Sequence, residues 1–313
     1  MSRSVLRKGG EIVAFIKTGS GAPIPVIVPS RYFGYRSDNL HYSLSAMADF
    51  AHEAGFDGVD LSLDTYDRFD EFLVMVLYSF RLRCDRLGLS VPMCHLPFYM
   101  PDPDDKAAMA RFIREQTEAL ETAARLSIPT AVIHPIVRHG STCTSSAWLR
   151  ENVDYLSPLR ELAAKKNVTL CLENMTGIPY PDAPGEHVWG SAPEDIAGLA
   201  DRLDASVCWD FGHAHLTGLR QSASLAVIGR RLRTVHIHDN DGARDTHAVP
   251  FDGTVDWQDA MTGLRQTGFL SGGATDRCLD LELKTSDLPD DRQLRLSHAA
   301  RALTAAKVLA RML

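Results

Sequence analysis

Six short apolar runs in this chain each carry, at or near their end, a residue that can bind a cation or move a proton. His95 closes Val-Pro-Met-Cys-His, and His134 closes Ala-Val-Ile-His. Glu173 closes Thr-Leu-Cys-Leu-Glu, and Asp210 closes Val-Cys-Trp-Asp. His236 and His238 lie in Val-His-Ile-His-Asp, and Glu282 lies in Leu-Asp-Leu-Glu-Leu. One such residue reads most simply as a hydrogen-bonded core group. Six runs in succession do not, because these side chains are costly to bury unpaired. A shared cation satisfies them together. Mixed imidazole and carboxylate donors suit Mn²⁺, Zn²⁺ or Co²⁺ better than Ca²⁺, and the sequence does not choose among the three. Alternation along a strand also places Cys171 on the face of Glu173 and Cys208 on that of Asp210, so small residues are expected beneath the ligands.

The elements that must position these residues alternate along the chain. Strands are expected over 58–63, 90–95, 130–134, 168–173, 206–211, 233–239 and 278–284. Helices are expected over about 42–54, 69–87, 105–126, 146–166, 193–203, 223–232, 257–267 and 291–311. Near the start, Glu11–Lys17 and Ile24–Pro29 are both apolar, and either could supply the first strand. Short strands separated by helices imply parallel βαβ units. Eight of them close a barrel with a packed interior, so the expected fold is an α/β (β/α)₈ TIM barrel. A doubly wound sheet would want a glycine-rich phosphate turn after its first strand; Gly19-Ser-Gly21 is too short and misplaced for that. The chain reads as one domain over 1–313, with about 1–23 as an N-terminal extension or hairpin.

The 313 residues are 45% hydrophobic and 23% charged, ordinary for a globular protein large enough to fold without staples. The net charge of −7 gives no broad attraction to nucleic acid or an anionic membrane. Six cysteines form no CxxC pair, and four of them sit in or beside apolar runs as core residues, which argues against a disulfide or structural zinc framework. No signal-peptide pattern and no membrane-length apolar run is legible, so a cytoplasmic protein is expected.

In order along the chain, His95-Leu-Pro, Ile133-His-Pro, Leu172-Glu-Asn, Asp210-Phe-Gly-His213, His236-Ile-His-Asp239 and Leu281-Glu282 resemble the xylose isomerase-like barrels. That superfamily includes sugar phosphate isomerases and epimerases, inosose dehydratases and the endonuclease IV type of apurinic endonuclease. The likeness spans roughly 40–290, and two patterns within it compete. The ketose 3-epimerase pattern implies one metal held by Glu173, Asp210, His236 and Glu282, the two glutamates moving the proton and His213 touching substrate. This chain departs from it after the His236 strand, where Asp239 and Arg244 stand in place of the usual Glu and Arg. The endonuclease IV pattern implies three zincs on His95, His134, Glu173, Asp210, His213, His236, Asp245, His247 and Glu282. Asp245-Thr-His247 is its informative piece, although the same run also resembles proteins classed only as sugar phosphate isomerase/epimerase. There a Gly-Glu-Gly turn usually follows, where this chain has Phe251-Asp-Gly-Thr.

Loops after the strands should shape specificity. Phe98 and Trp189 are candidate lids over a sugar, or else pack their loops on the rim. Lys284 could bind a carboxylate or phosphate, or snorkel at the rim. The expected function is a metal-dependent isomerase or epimerase acting on a sugar, sugar phosphate or cyclic polyol through an enediolate, with glutamate acid–base chemistry. A dehydratase or lyase on a keto-polyol shares the α-proton step. A multi-zinc phosphodiesterase is the competing class, and a non-catalytic sugar-binding barrel a third. The expected partner is a small carbohydrate or polyol; whether the chain forms a homo-oligomer is left open by its sequence.

Overall fold

The computed structural model describes residues 7–8, 11–12, 24–33, 43–66, 68–99, 101–179, 184–271, 277–285 and 288–313. Eight parallel strands close into a barrel: β1 (Val26–Pro29), β2 (Gly58–Ser62), β3 (Ser90–His95), β4 (Thr130–Ile133), β5 (Thr169–Glu173), β6 (Ser206–Asp210), β7 (Leu232–His236) and β8 (Leu279–Asp280). Pairing of Leu279 with Val26 and of Asp280 with His236 closes the ring. The later of the two early apolar stretches is therefore the first barrel strand. Arg7–Lys8 and Glu11–Ile12 form a small antiparallel ribbon separate from the barrel sheet. Residues 13–23 lie outside the described residues.

Helices follow the strands: α1 (Leu44–Ala54), α2 (Glu71–Leu87), α3 (Lys106–Arg125), α4 (Ser145–Lys165), α5 (Pro193–Leu203), α6 (Phe211–Leu216), α7 (Gln221–Ile228), α8 (Trp257–Gln266) and α9 (Arg292–Met312). Their starts are chemically marked. The side chains of Asp70, Asp105, Thr144, Asp256 and Asp291 accept from backbone N–H groups in the first turn, satisfying donors the helix itself cannot. Several boundaries differ from the sequence reading, among them the strand expected over 233–239, which ends at His236. The helix expected over 223–232 stops at Ile228, because Gly229 at φ +55° breaks it into a 3₁₀ turn. The last strand is two residues long, not seven, since Leu281 onward leaves the ladder. α6 was not foreseen: it starts directly at the end of β6, where the Asp210 carboxylate accepts from the His213 N–H.

Inside the barrel, Ile27, Met93, Val132, Cys171, Cys208 and Cys278 form a small buried cluster of their own. Larger apolar side chains, among them Trp209, Phe211, Leu264 and Leu303, fill the layer between strands and helices. Alternation then dictates what lies above the inner cluster. Two residues further along each strand come Pro29, His95, His134, Glu173, Asp210 and Asp280. An apolar floor is thus capped by an ionisable layer at the C-terminal end of the strands, where barrels of this kind build their sites.

Candidate metal centre

Glu173 stands at the centre of the layer and is buried. Its Oε2 lies 3.0 Å from His134 Nε2 and 3.4 Å from His95 Nε2. Its Oε1 lies 3.3 Å from His236 Nδ1 and 3.4 Å from His213 Nδ1. Burial alone would raise this carboxyl; His236 and His134 outweigh it and hold it well below the usual carboxylate range. Glu282 Oε2 approaches the same His236 Nδ1 at 3.1 Å, and Asp210 Oδ2 lies 3.9 Å from it. Glu173, Asp210, His236 and Glu282 each offer one atom within 4.8 Å of the others.

The histidines are aimed by their second ring nitrogen. His95 Nδ1 bonds the Leu96 carbonyl at 2.8 Å, His213 Nδ1 the Asn174 carbonyl at 2.9 Å and His247 Nδ1 the Glu282 carbonyl at 2.7 Å. A carbonyl can only accept, so in each ring Nδ1 carries the proton and Nε2 is left directed into the site. These nitrogens meet carboxylates: His247 Nε2 sits 3.2 Å from Asp245 Oδ2, and His213 Nε2 sits 3.7 Å from the same oxygen. A neutral Nε2 and a carboxylate oxygen are both acceptors, so something positive must lie between them, either protons or a metal ion. Asp210 Oδ2, Glu282 Oε2 and both ring nitrogens of His236 are buried without a hydrogen-bond partner among the described residues. Orphaned metal-donor atoms of this chemistry, converging from three strand ends, fit a divalent cation.

Three neighbouring groups with this geometry hold the residues of the sequence pattern. His95, His134 and Glu173 form one; Glu173, Asp210, His236 and Glu282 form the second; His213, His238, Asp245 and His247 form the third. All nine residues of the larger sequence pattern therefore meet at one end of the barrel. His238, whose direction the sequence leaves open, turns inward: it is buried, lies 3.1 Å from Asp210 Oδ1 and stacks on His247 at 3.9 Å. Gly212 makes room for it. A Cβ there would stand 1.9 Å from the His238 ring.

Of the loop candidates, Phe98 is exposed and packs edge-on against His134 at 4.1 Å, at the mouth of the site. Trp189 instead stacks near Trp148 and donates its indole N–H to the Cys143 carbonyl, which holds its loop on the barrel rim. Lys284 is exposed, and its backbone N–H donates to the His247 carbonyl. The two residues that replace the epimerase pair after β7 face elsewhere. Arg244 pairs with Asp241 on the exposed turn, and Asp239 binds the backbone of its own loop.

Sequence reasoning missed three participants. Arg31, just past β1, ion-pairs with both Asp64 and Glu282. Asp280 is buried with both oxygens unpartnered among the described residues, its Oδ2 3.8 Å from His236 Nε2. Asp60 is buried on β2. Burial raises Asp60 to about 6 against the pull of His95 and His236, and burial with the charge of Asp60 raises Asp280 well above the carboxylate range. Alternation puts Asp280 on the face of Glu282, a legible signal; nothing local marks Arg31, which meets Glu282 only through barrel closure.

A family model described as xylose isomerase-like TIM barrel matches residues 48–306. The uncharacterized protein MJ1311 of Methanocaldococcus jannaschii is 29% identical over 206 residues, 62% of this chain and 66% of that one. The uncharacterized protein y4fM of Sinorhizobium fredii is 50% identical over 56 residues, 18% of each chain. The chain thus matches just under two thirds of the first relative and under a fifth of the second. Among solved structures, a D-tagatose 3-epimerase-like protein superposes with a TM-score of 0.69 at 18% identity, covering 92% of this chain and 99% of that one. D-psicose 3-epimerase in the presence of D-fructose gives 0.68 at 14% identity, again over 92% and 99%. IolI with a bound zinc atom gives 0.65 at 16% identity over 91% and 96%. Identities this low carry the fold and nothing further.

Proposed function

This chain belongs to the xylose isomerase-like TIM barrel family, and on that premise we propose that it is a divalent-metal-dependent isomerase or epimerase of a sugar, sugar phosphate or cyclic polyol. The observation that carries the reading is the approach of two carboxylates, Glu173 and Glu282, to His236 Nδ1 from different strands, beside Asp210. Glu173, Asp210, His236 and Glu282 would hold the ion. When bound, Mn²⁺, Zn²⁺ or Co²⁺ polarises a substrate carbonyl and the neighbouring hydroxyl and so acidifies the carbon between them. One glutamate takes the α-proton, giving a planar enediolate; the other returns a proton from the far side or to the adjacent carbon. Arg31 ties down Glu282 Oε1 and so fixes the direction of this carboxylate, whose Oε2 faces His236. Glu173 is braced by His134 and His95. Phe98 at the mouth offers an apolar face that screens the enediolate from water. Carbohydrate epimerases are among the solved structures that share this fold.

A specific observation favours a second reading, a multi-zinc phosphodiesterase. The His95/His134 and His213/Asp245/His247 groups flank the central one, enough donors for further ions. The net charge of −7 weighs against a nucleic-acid substrate. Metal stoichiometry per chain decides, assayed beside a ketose panel and abasic-site DNA. One ion with sugar turnover, both lost in Glu173→Gln and Glu282→Gln, is the expected result. Three tightly bound zincs with DNA incision would overturn it. Turnover of a keto-polyol by loss of water, without ketose interconversion, would move the assignment to a dehydratase built on the same proton removal.

A further inference from the structure

Helix α2 carries a second apolar stripe besides the one it buries. Leu77, Phe80 and Cys84 face the barrel. On its outer side Phe72, Met75, Tyr78 and Leu82 are 76, 69, 53 and 40% exposed. Large side chains this exposed are ordinary when scattered, but four along one face of a single helix form a continuous ridge, and such ridges mark contact surfaces. Phe, Met and Tyr are also residue types enriched in protein interfaces.

The ridge has charged ends of opposite sign. Glu71 opens the helix and Arg86 lies in its last turn, both exposed and both on the azimuth of Met75 and Leu82. A second α2 laid antiparallel, with a twofold axis passing between Tyr78 and Ser79, brings Met75 and Glu71 opposite complements and sets the two Tyr78 side chains beside the axis. Met75 meets the partner's Leu82 and Glu71 meets the partner's Arg86, each contact occurring twice. That is the self-complementarity an isologous interface requires. A parallel copy would instead set Glu71 beside Glu71 and Arg86 beside Arg86. Arg81, off the ridge, is already engaged by Asp85 at 2.7 Å.

We propose that α2 is a homodimerisation surface, on which two copies of this chain pair antiparallel through Phe72, Met75, Tyr78 and Leu82, with reciprocal Glu71–Arg86 ion pairs. The contact lies on the outside of the barrel, apart from the metal centre. One helix from each copy makes a small interface, so the dimer dissociates on dilution.

Light scattering and sedimentation of the full chain over a concentration series test this. Wild type is expected to pass from monomer to dimer. Met75→Glu should weaken the dimer at least tenfold while its circular dichroism stays unchanged. Glu71→Arg or Arg86→Glu alone should weaken it, and the two together should restore it. The two charges also suit the dipole of their own helix, so the paired reversal is the informative variant: it leaves the dipole mismatched yet regains the intersubunit pairs. Ser79→Cys, next to the axis, should cross-link to its own copy under mild oxidation. A wild type monomeric at every concentration, or a dimer indifferent to Met75→Glu and Leu82→Glu, overturns the proposal.

Discussion

His236 is held the opposite way round from the other site histidines. His95, His213 and His247 each spend Nδ1 on a backbone carbonyl and present Nε2. His236 presents Nδ1 to Glu173 and Glu282, and its Nε2 looks down on Asp280. A ligating imidazole needs an acceptor on its far nitrogen to fix tautomer and ring orientation. In this chain the buried Asp280 carboxyl lies on that side, 3.8 Å from Nε2 and not hydrogen-bonded to it, and it is the group expected to take that place when an ion is bound. Asp280→Leu, which removes the acceptor at similar volume, is expected to weaken metal retention by about 10–100-fold. Asp280→Asn keeps a carbonyl and should retain most of it. Competition against a chromophoric chelator measures both; a leucine variant that holds metal as tightly as wild type would remove Asp280 from this role.

At the scale of elements, the segment between β7 and α8 shows how a loop with little regular structure delivers two site residues. Asp239 is buried, and its carboxylate accepts from the backbone of Asn240, Phe251 and Val255 and from the Trp257 indole at 2.8–3.1 Å. Its backbone pairs both ways with Ala248. Pinned at four points, the loop keeps Phe251 at φ +77° and His247 at φ +45°, conformations that side chains with a Cβ adopt at a cost. It thereby turns Asp245 and His247 onto His213. Asp239→Ala leaves three distant donors unsatisfied, and a stability loss of roughly 3 kcal/mol or more is expected from urea unfolding. A loss under about 1 kcal/mol would mean that water replaces the carboxylate and that the loop is not held by it.

For the whole molecule, closure of the barrel forces ionisable side chains from seven strands or strand ends into one buried layer, with positive charge supplied, among the described residues, by histidines and Arg31. Without an ion, the orphaned Asp210, His236 and Glu282 atoms are a liability to the fold. A ligand that binds the folded state alone stabilises it in proportion to the logarithm of its concentration over Kd. Dialysis against a chelator is therefore expected to lower the Tm by several degrees, and titration with Mn²⁺, Zn²⁺ or Co²⁺ to restore it. Glu173→Gln should lack most of this metal response. A Tm indifferent to all three ions would count against the metal centre. Among the described residues, no helix is long and apolar enough to cross a membrane.

The sequence by itself determined the eight-strand alternation, the floor of small residues under the ligands and the identity of the residues at the strand ends. Those features rest on local periodicity: strand alternation fixes which side chains point inward, and the capping aspartates and glycines mark where helices begin and stop. What only the tertiary structure decided is everything that depends on closure. Which early stretch is the first strand follows from its pairing with β8, not from its composition. Arg31 reaches Glu282 across 251 positions of sequence. The direction of the Asp245–His247 run depends on bonds from Asp239 to residues far along the loop, which local sequence does not show. The outward ridge on α2 is likewise visible only in the fold, which turns Leu77, Phe80 and Cys84 inward and leaves Phe72, Met75, Tyr78 and Leu82 outside.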